Sequence, residues 1–326
     1  MKEKILSTLK SSETDDWLDI HVVRPLAYYF ALFFAKLDIH PNTVTIVSMI
    51  IGASSFIFLA HGSFYYEGTH DLYMNIIGLL LLVLADILDC TDGPLARLTG
   101  KTSRIGRILD GISGFIWFIP VYAALTWRVF TYHSIEFGWF GITDTYETSL
   151  ILLVFVLVLG FCSGMVCFAG QSRVADYYIQ VHLFFLKGEK GSELDNSAKQ
   201  QKTYEDTPWK GNFFWKLFLR SYVNYTKKQE KKTPNFQRLL AVLKEKYGST
   251  ENIPAAFRQK FHDYSLPVLT YNGLLTFNFR MAFFILFLLL DLPLMYFVFE
   301  VVFMSLLCEY IVHRHESFCR KLTEEL

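Results

Sequence analysis

Four aspartates set the chemistry open to this sequence. Asp86, Asp89 and Asp92 fall in the run Leu84-Ala85-Asp86-Ile87-Leu88-Asp89-Cys90-Thr91-Asp92-Gly93, at the end of a long apolar stretch. Asp110 follows Gly106 at the start of the next one. Side chains three residues apart share a helix face, so Asp89 and Asp92 can point one way, and a short loop can return Asp110 to face them. Carboxylates at the depth of a membrane helix persist only when paired or liganded. Hard oxygens suit Mg²⁺ or Mn²⁺, and Mg²⁺ is usually completed by substrate phosphates. The cluster therefore points to a phosphate ester or anhydride handled at the membrane surface. The competing reading is a helix-end salt-bridge network with Lys101, Arg104 and Arg107 of the intervening loop.

The elements that must position these residues are membrane spans. The chain of 326 residues is 52% hydrophobic and 17% aromatic with 19% charged residues, an apolar balance that excludes a disordered or collagen-like protein. Its mean hydropathy is +0.28. Lys and Arg balance Asp and Glu at 31 each, so no global basicity points to nucleic acid. Five cysteines without paired spacing argue against a disulfide scaffold and a zinc ribbon. Six runs are long enough to cross a bilayer as helix, which takes about 20 residues. They lie near 42–60, 72–92, 107–129, 150–168, 269–290 and 292–312. The loop 61–71 and the turn near Asp291 carry no Lys or Arg, and 131–149 carries none beyond Arg128 at its edge. Lys101, Arg104, Arg107, the lysine-rich 187–260, Arg314, Arg320 and Lys321 gather on the other side. That side, with both termini and the active site, is expected in the cytoplasm, and no cleaved signal peptide is expected.

The expected fold is all-α: a six-transmembrane-helix bundle with an N-terminal interfacial amphipathic helix and a helical cytoplasmic insertion. The expected divisions are 1–41, 42–185 with spans one to four, the insertion 186–265, and 266–326 with spans five and six. Residues 16–36 mix Asp19 and Arg24 with Trp17, Tyr28, Tyr29, Phe30 and Phe33, which suits a helix in the bilayer interface or one packed on the bundle. Residues 208–232 interleave Trp209, Phe213, Phe214, Trp215, Phe218 and Tyr222 with Lys210, Lys216, Arg220, Lys227 and Lys228. Such a surface touches anionic lipid headgroups; the alternative is a helical cap over the cytoplasmic mouth. Thr233-Pro234, then Leu239, Leu240, Leu243 and Gly248, predict a short capped helix.

The spacing Asp89-x-x-Asp92-Gly93-x-x-Ala96-Arg97, eight residues, Gly106-x-x-x-Asp110 resembles the signature of the CDP-alcohol phosphotransferase family. Seven fixed positions agree, and Pro41-Asn42 is similar to the family's Pro-Asn entry to the first span. The resemblance covers residues 14–185 well and the last two spans loosely; 186–265 lies outside the common core. It implies a membrane enzyme of phospholipid synthesis that transfers a phosphatidyl or phosphoalcohol group from a CDP-alcohol, such as CDP-diacylglycerol, to a small hydroxyl acceptor and releases CMP. It implies a site for two divalent ions, Mg²⁺ or Mn²⁺, on Asp89, Asp92 and Asp110. His40, Pro41, Asn42, Thr43, Gly93, Ala96, Arg97 and Ser103 match donor and nucleotide positions. Arg173 matches in place an arginine that holds acceptor phosphate, or else anchors the helix end at headgroups. Arg280, deep in the fifth span, lines a substrate path or pairs with a carboxylate such as Glu309. Expected partners are the CDP-alcohol, the acceptor and membrane lipids, without nucleic acid, and a homodimer is a candidate assembly.

One motif position departs. The family's last aspartate, its general base, falls on Gly114. Three explanations compete: another carboxylate serves, a different acceptor needs no such base, or the chain binds a CDP-lipid without turning it over. Asp86 is the candidate stand-in, since at about 1.5 Å per residue it lies within about one helical turn of the height of position 114. A transporter is the weaker third class, with no inverted repeat to support it.

Overall fold

The structure, a computed structural model, describes residues 13–14, 17–62, 70–131, 135–139, 141 and 146–326. The loops 63–69, 132–134 and 142–145, on which part of the expected orientation rests, and residues 1–12, where a signal peptide would begin, lie outside the described residues. Among the described residues the chain is helical throughout, with no strand. Six helices are long and apolar enough to cross a bilayer: Pro41–Leu59, Asp71–Thr99, Ile108–Thr131, Leu150–Lys187, Ala255–Leu289 and Pro293–Glu324. The all-α, six-span expectation holds. The fourth and sixth helices run on past the expected ends, and the fifth begins at Ala255 where Leu269 was expected. Hydropathy sees only the apolar part of a helix, whereas the backbone ladder continues through the polar turns beyond it.

The chain divides into two compact units. The first holds the described residues of Met1–Ala169 together with Asn278–Phe303. It opens with a π-turn, Asp19–Val23, leading into α1, Arg24–Lys36. Asp38 then turns the chain in the left-handed region at φ 55°, which a short polar side chain tolerates better than most. α2, Pro41–Leu59, starts on a cap: His40 is extended, its Nδ1 accepts from Asn42 N at 3.2 Å, and Pro41 occupies the first helical position, where a missing N–H costs nothing. α3, His70–Thr99, is 30 residues long, about 45 Å, and overreaches a hydrocarbon core of about 30 Å. α4 is Arg104–Thr131 and α5 is Tyr146–Phe161. Ala31, Val44, Leu88 and Leu95 form a core shared by α1, α2 and α3, filled out by Phe30, Phe34, Ile39, Ile51 and Leu84. α2 also lies tight on α4: a Cβ at Gly52 would come within 2.8 Å of Trp117.

Two arginine–carboxylate pairs knit the membrane part of this unit. Arg128, 1% exposed, pairs with Asp291 and donates to Asn75 Oδ1 at 3.0 Å. Glu300, fully buried, accepts from Arg280, Tyr122 and Ser163, and Arg280 lies over the Phe168 ring at 4.9 Å. Each buried charge therefore has a counter-charge and hydrogen bonds, the condition for keeping it in a low dielectric.

The second unit holds Gly170–Phe277 and Met304–Leu326. α6 is Ala169–Lys187, α7 Ser197–Asp206, α8 Phe213–Lys232 and α9 Pro234–Tyr247. They are followed by α10, Ala255–Asn272, and α13, Met304–Glu324; between these in the chain, α11, Phe277–Leu289, and α12, Pro293–Val298, belong to the first unit from Asn278 on. α9 matches the capped helix expected from the sequence: Pro234 stands at its first position and Gly248 ends it at φ 75°. The sequence did not show the buried Glu316 carboxylate accepting from Asn235 N at 2.6 Å and Phe236 N at 3.4 Å, satisfying donors that a helix start leaves open. Around it Phe236, Phe261 and Phe318 enclose His315, on which Tyr178 stacks at 4.1 Å.

Candidate active site

α3 carries Asp89 and Asp92 one turn apart, and α4 carries Asp110 in its second turn. Asp89 lies within electrostatic reach of both Asp92 and Asp110, so the structure brings the three predicted carboxylates into one field. α2 supplies hydroxyls beneath them. Thr45, 1% exposed, stands 2.5 Å from Asp92 Oδ2, with the Pro41 carbonyl at 3.2 Å as the more distant acceptor. Ser48 reaches Asp89 Oδ1 at 3.4 Å, but its nearer acceptor is the Thr45 carbonyl at 2.7 Å. Ser113 of α4 likewise approaches Asp89 Oδ2 at 3.4 Å and the Asp110 carbonyl at 2.9 Å. A hydroxyl has one proton to donate, so Asp89 receives at most two long, weak bonds and keeps acceptor capacity to spare. No described Lys or Arg lies at ion-pair distance from Asp89 or Asp92. Of the loop cations in the salt-bridge alternative, Lys101 pairs with Asp38, and the side chains of Arg104 and Arg107 lie outside the described residues.

The donor set suits a hard divalent cation: carboxylate oxygens, one oriented by a neutral hydroxyl and one under-bonded, with their charge left standing. Arg97 is exposed and folds back along α3, its guanidinium nitrogens 3.7 and 3.8 Å from where a Cβ on Gly93 would sit. Its charge is felt by Asp92, and Arg24 adds a second cation beside it. Gly93 therefore leaves the α3 backbone uncovered next to an arginine.

The donor-side segments are locked together. Ser103 caps α4, its Oγ accepting from Gly106 N at 2.9 Å, and donates to Asn42 Oδ1 at 3.3 Å. A Cβ on Gly106 would press within 2.8 Å of Asn42 Oδ1, so a larger residue there would displace the Asn42 side chain. Lys101 pairs with Asp38 at 2.5 Å, tying the α3–α4 loop to the α1–α2 turn. The hydrogen bond and charge of Lys101 hold the Asp38 carboxyl below the usual carboxylate range. His40 and Thr43 are exposed, Pro41 is buried and Ala96 half-buried.

The remaining predicted residues fall elsewhere. Asp86 is 9% exposed, and it acts on Cys90 together with Arg24 and Asp19 of the N-terminal segment. Gly114 is half-buried, and nothing lies within 4 Å of a Cβ built there, so crowding does not exclude a larger side chain. Arg280 is paired with Glu300; Glu309, weighed as its partner, pairs with Lys232 at 2.8 Å instead. Arg173, in the second unit, lies over the Tyr225 ring at 5.4 Å, and its buried Nε has no hydrogen-bond partner. Tyr225 donates to Asp176 at 3.1 Å; burial and that carboxylate push its phenol above the ordinary range. Sequence reasoning missed Thr45, Ser48 and Ser113. Their only sequence signal is hydroxyls at helical spacing, three residues apart in α2, and one turn past Asp110 in α4.

Comparison with known proteins bears on the same segment. The family model described as CDP-alcohol phosphatidyltransferase matches residues 38–180, which hold α2, α3, α4 and all three motif aspartates. A Dictyostelium discoideum protein named as an uncharacterized CDP-alcohol phosphatidyltransferase class-I family protein 3 is 30% identical over 105 residues, 32% of this chain and 26% of its own length. An archaetidylinositol phosphate synthase of Pyrococcus horikoshii is 37% identical over 76 residues, 23% of this chain and 35% of its own. The chain thus spans between a quarter and about a third of these curated relatives. No solved structure matches it. With six apolar helices among its described residues, the chain is an integral multi-pass membrane protein, and its residues 38–180 match the model of the CDP-alcohol phosphatidyltransferase family.

Proposed function

We propose that this chain transfers a phosphatidyl or phosphoalcohol group from a CDP-alcohol, such as CDP-diacylglycerol, to a small hydroxyl acceptor at the cytoplasmic face, releasing CMP. The observation that carries the reading is the under-bonded Asp89 beside Asp92 and Asp110, with no described cation at ion-pair distance from Asp89 or Asp92. Asp89, Asp92 and Asp110 would hold Mg²⁺ or Mn²⁺, which when bound neutralises pyrophosphate charge and stabilises the leaving phosphate oxygen. The chain's own residues supply the rest. Arg97 places positive charge next to the open backbone at Gly93, where a nucleotide phosphate can approach. Asn42 and Ser103, bonded to each other, with His40, Pro41, Thr43 and Ala96, fix the donor side. Thr45 keeps the Asp92 carboxylate turned toward the site. Asp110, exposed, and Asp86, buried, are the two carboxylates open to the acceptor's proton in place of the base missing at Gly114. In the second unit Arg173, whose buried Nε lacks a partner, is a candidate anion-binding group of its own.

A second reading, binding of a CDP-lipid without turnover, is favoured by one observation: the base position is glycine although the space there is open. The experiment separates the two. Purified protein in nanodiscs receives CDP-diacylglycerol, Mg²⁺ or Mn²⁺ and, in turn, inositol, inositol phosphate, glycerol phosphate, serine, ethanolamine and choline, and CMP release is followed. Metal-dependent CMP release with one acceptor, lost in Asp86→Asn or in Asp110→Asn, supports transfer. CMP release only in Gly114→Asp supports a silent binder. Neither CMP release nor CDP-lipid binding in any protein refutes both.

A further inference from the structure

The tip of the α7–α8 hairpin lies outside the family-matched residues and presents apolar side chains to the surface. Phe214 is 75% exposed, Phe213 59%, Leu217 49% and Trp209 46%. Helical spacing gathers Phe213, Phe214 and Leu217 on one side of α8, while Leu219, Val223 and Thr226 turn inward. Lys216, grouped with the surface cations in the sequence, is buried. It donates to the Thr207 carbonyl at 2.6 Å and lies over Tyr204 at 4.7 Å and Trp209 at 5.2 Å. A buried ammonium with a carbonyl and two ring faces is a strut, and it fixes the turn that holds Trp209 outward. Exposed Lys210 and Arg220 flank the aromatics. Residues 199–232 carry nine cations against three carboxylates. Of those three, Glu230 is engaged in holding Ser197 at the start of α7.

Exposed Phe and Trp rimmed by Lys and Arg are the composition that enters the headgroup layer of a bilayer, where apolar rings reach the acyl boundary and cations meet anionic lipid. The chain is already held at a membrane by its spans. We infer that Trp209, Phe213, Phe214 and Leu217, with Lys210 and Arg220, form a docking surface for anionic phospholipid.

The test labels full-length Phe214→Cys with an environment-sensitive thiol dye. The five native cysteines are buried or half-buried, so the exposed new thiol reacts first. Asn224→Cys, exposed on the same helix, is the reference. Nanodiscs carry bromine on their acyl chains and contain phosphatidylcholine with or without phosphatidylserine. Docking predicts that bromine quenches the dye at position 214, more strongly with phosphatidylserine, and leaves the dye at 224 bright. Adding Lys210→Gln and Arg220→Gln should shift the docked-to-free ratio about fivefold per cation. A dye at 214 as open to aqueous iodide as the reference, in both lipid mixtures, overturns the inference. So does a dye signal that follows the number of protein copies per disc and ignores lipid composition, since a second copy would then cover the face.

Discussion

The first unit holds two kinds of buried or half-buried carboxylate, and they are treated differently. Glu300 and Asp291 each meet an arginine, and Glu300 also collects Tyr122 and Ser163. Asp89 and Asp92 meet the hydroxyls of Thr45, Ser48 and Ser113, two of those contacts being long, and Asp92 also meets the Gly93 N–H, but neither has an ion-pair partner among the described residues. Arginine neutralises a carboxylate, and the result is a staple between helices. A hydroxyl orients it and leaves its charge in place, which is a cost in a membrane helix unless a ligand supplies the counter-charge. The difference separates residues that hold the bundle from residues kept ready for a cation.

Breaking the staple should have the largest effect. Arg280→Met leaves Glu300 charged and buried with its two remaining hydroxyl donors, and removing one partner of a buried pair costs about 3–5 kcal/mol. Thermal unfolding in detergent should show a large drop, with much of it recovered in Arg280→Met/Glu300→Gln. A single variant as stable as the parent would mean that the pair does not staple the helices.

Loosening the orienting hydroxyl should come next. Thr45→Val removes the shortest bond to Asp92, and loss of an outer-shell partner lowers metal affinity about 10–100-fold. Thr45→Ser, which keeps the hydroxyl, should recover most of it. Mn²⁺ titration read by paramagnetic relaxation gives the comparison, and equal affinity in Thr45→Val and the parent would remove Thr45 from the site.

The smallest effect is expected at Lys101–Asp38, an exposed pair. The Asp38 carboxyl is held down by Lys101, so its contribution is present above the unfolded value of about 3.9 and disappears as pH falls through the lower folded value. Lys101→Met should therefore differ slightly from the parent in unfolding temperature at neutral pH, and the two should converge in strong acid. A difference that grows on acidification would have the wrong sign.

Much of this architecture was legible in the residues. Hydropathy located six spans, because a bilayer demands long apolar runs, and it misplaced the polar ends that no bilayer constrains. The spacing of Asp89, Asp92 and Asp110 marked the site, because helix geometry converts sequence separation into a shared face. Thr45, Ser48 and Ser113 were not legible: their contacts depend on how α2 and α4 are rotated against α3, which packing decides. The partner of Arg280 could have been found. Arg280 and Glu300 stand eleven and nine residues on either side of the turn at Asp291, and Glu309 stands eighteen beyond it. At about 1.5 Å per residue only Glu300 reaches the depth of Arg280.

The central claim, that the aspartates keep their charge for a metal-bound nucleotide, is tested most directly by binding of CDP-diacylglycerol to the purified protein in nanodiscs, titrated with Mg²⁺ or with EDTA present. The parent should bind only with metal, and Asp92→Asn should lose that dependence along with the binding. Equal binding by the parent with Mg²⁺ and with EDTA, or by Asp92→Asn and the parent, would contradict it.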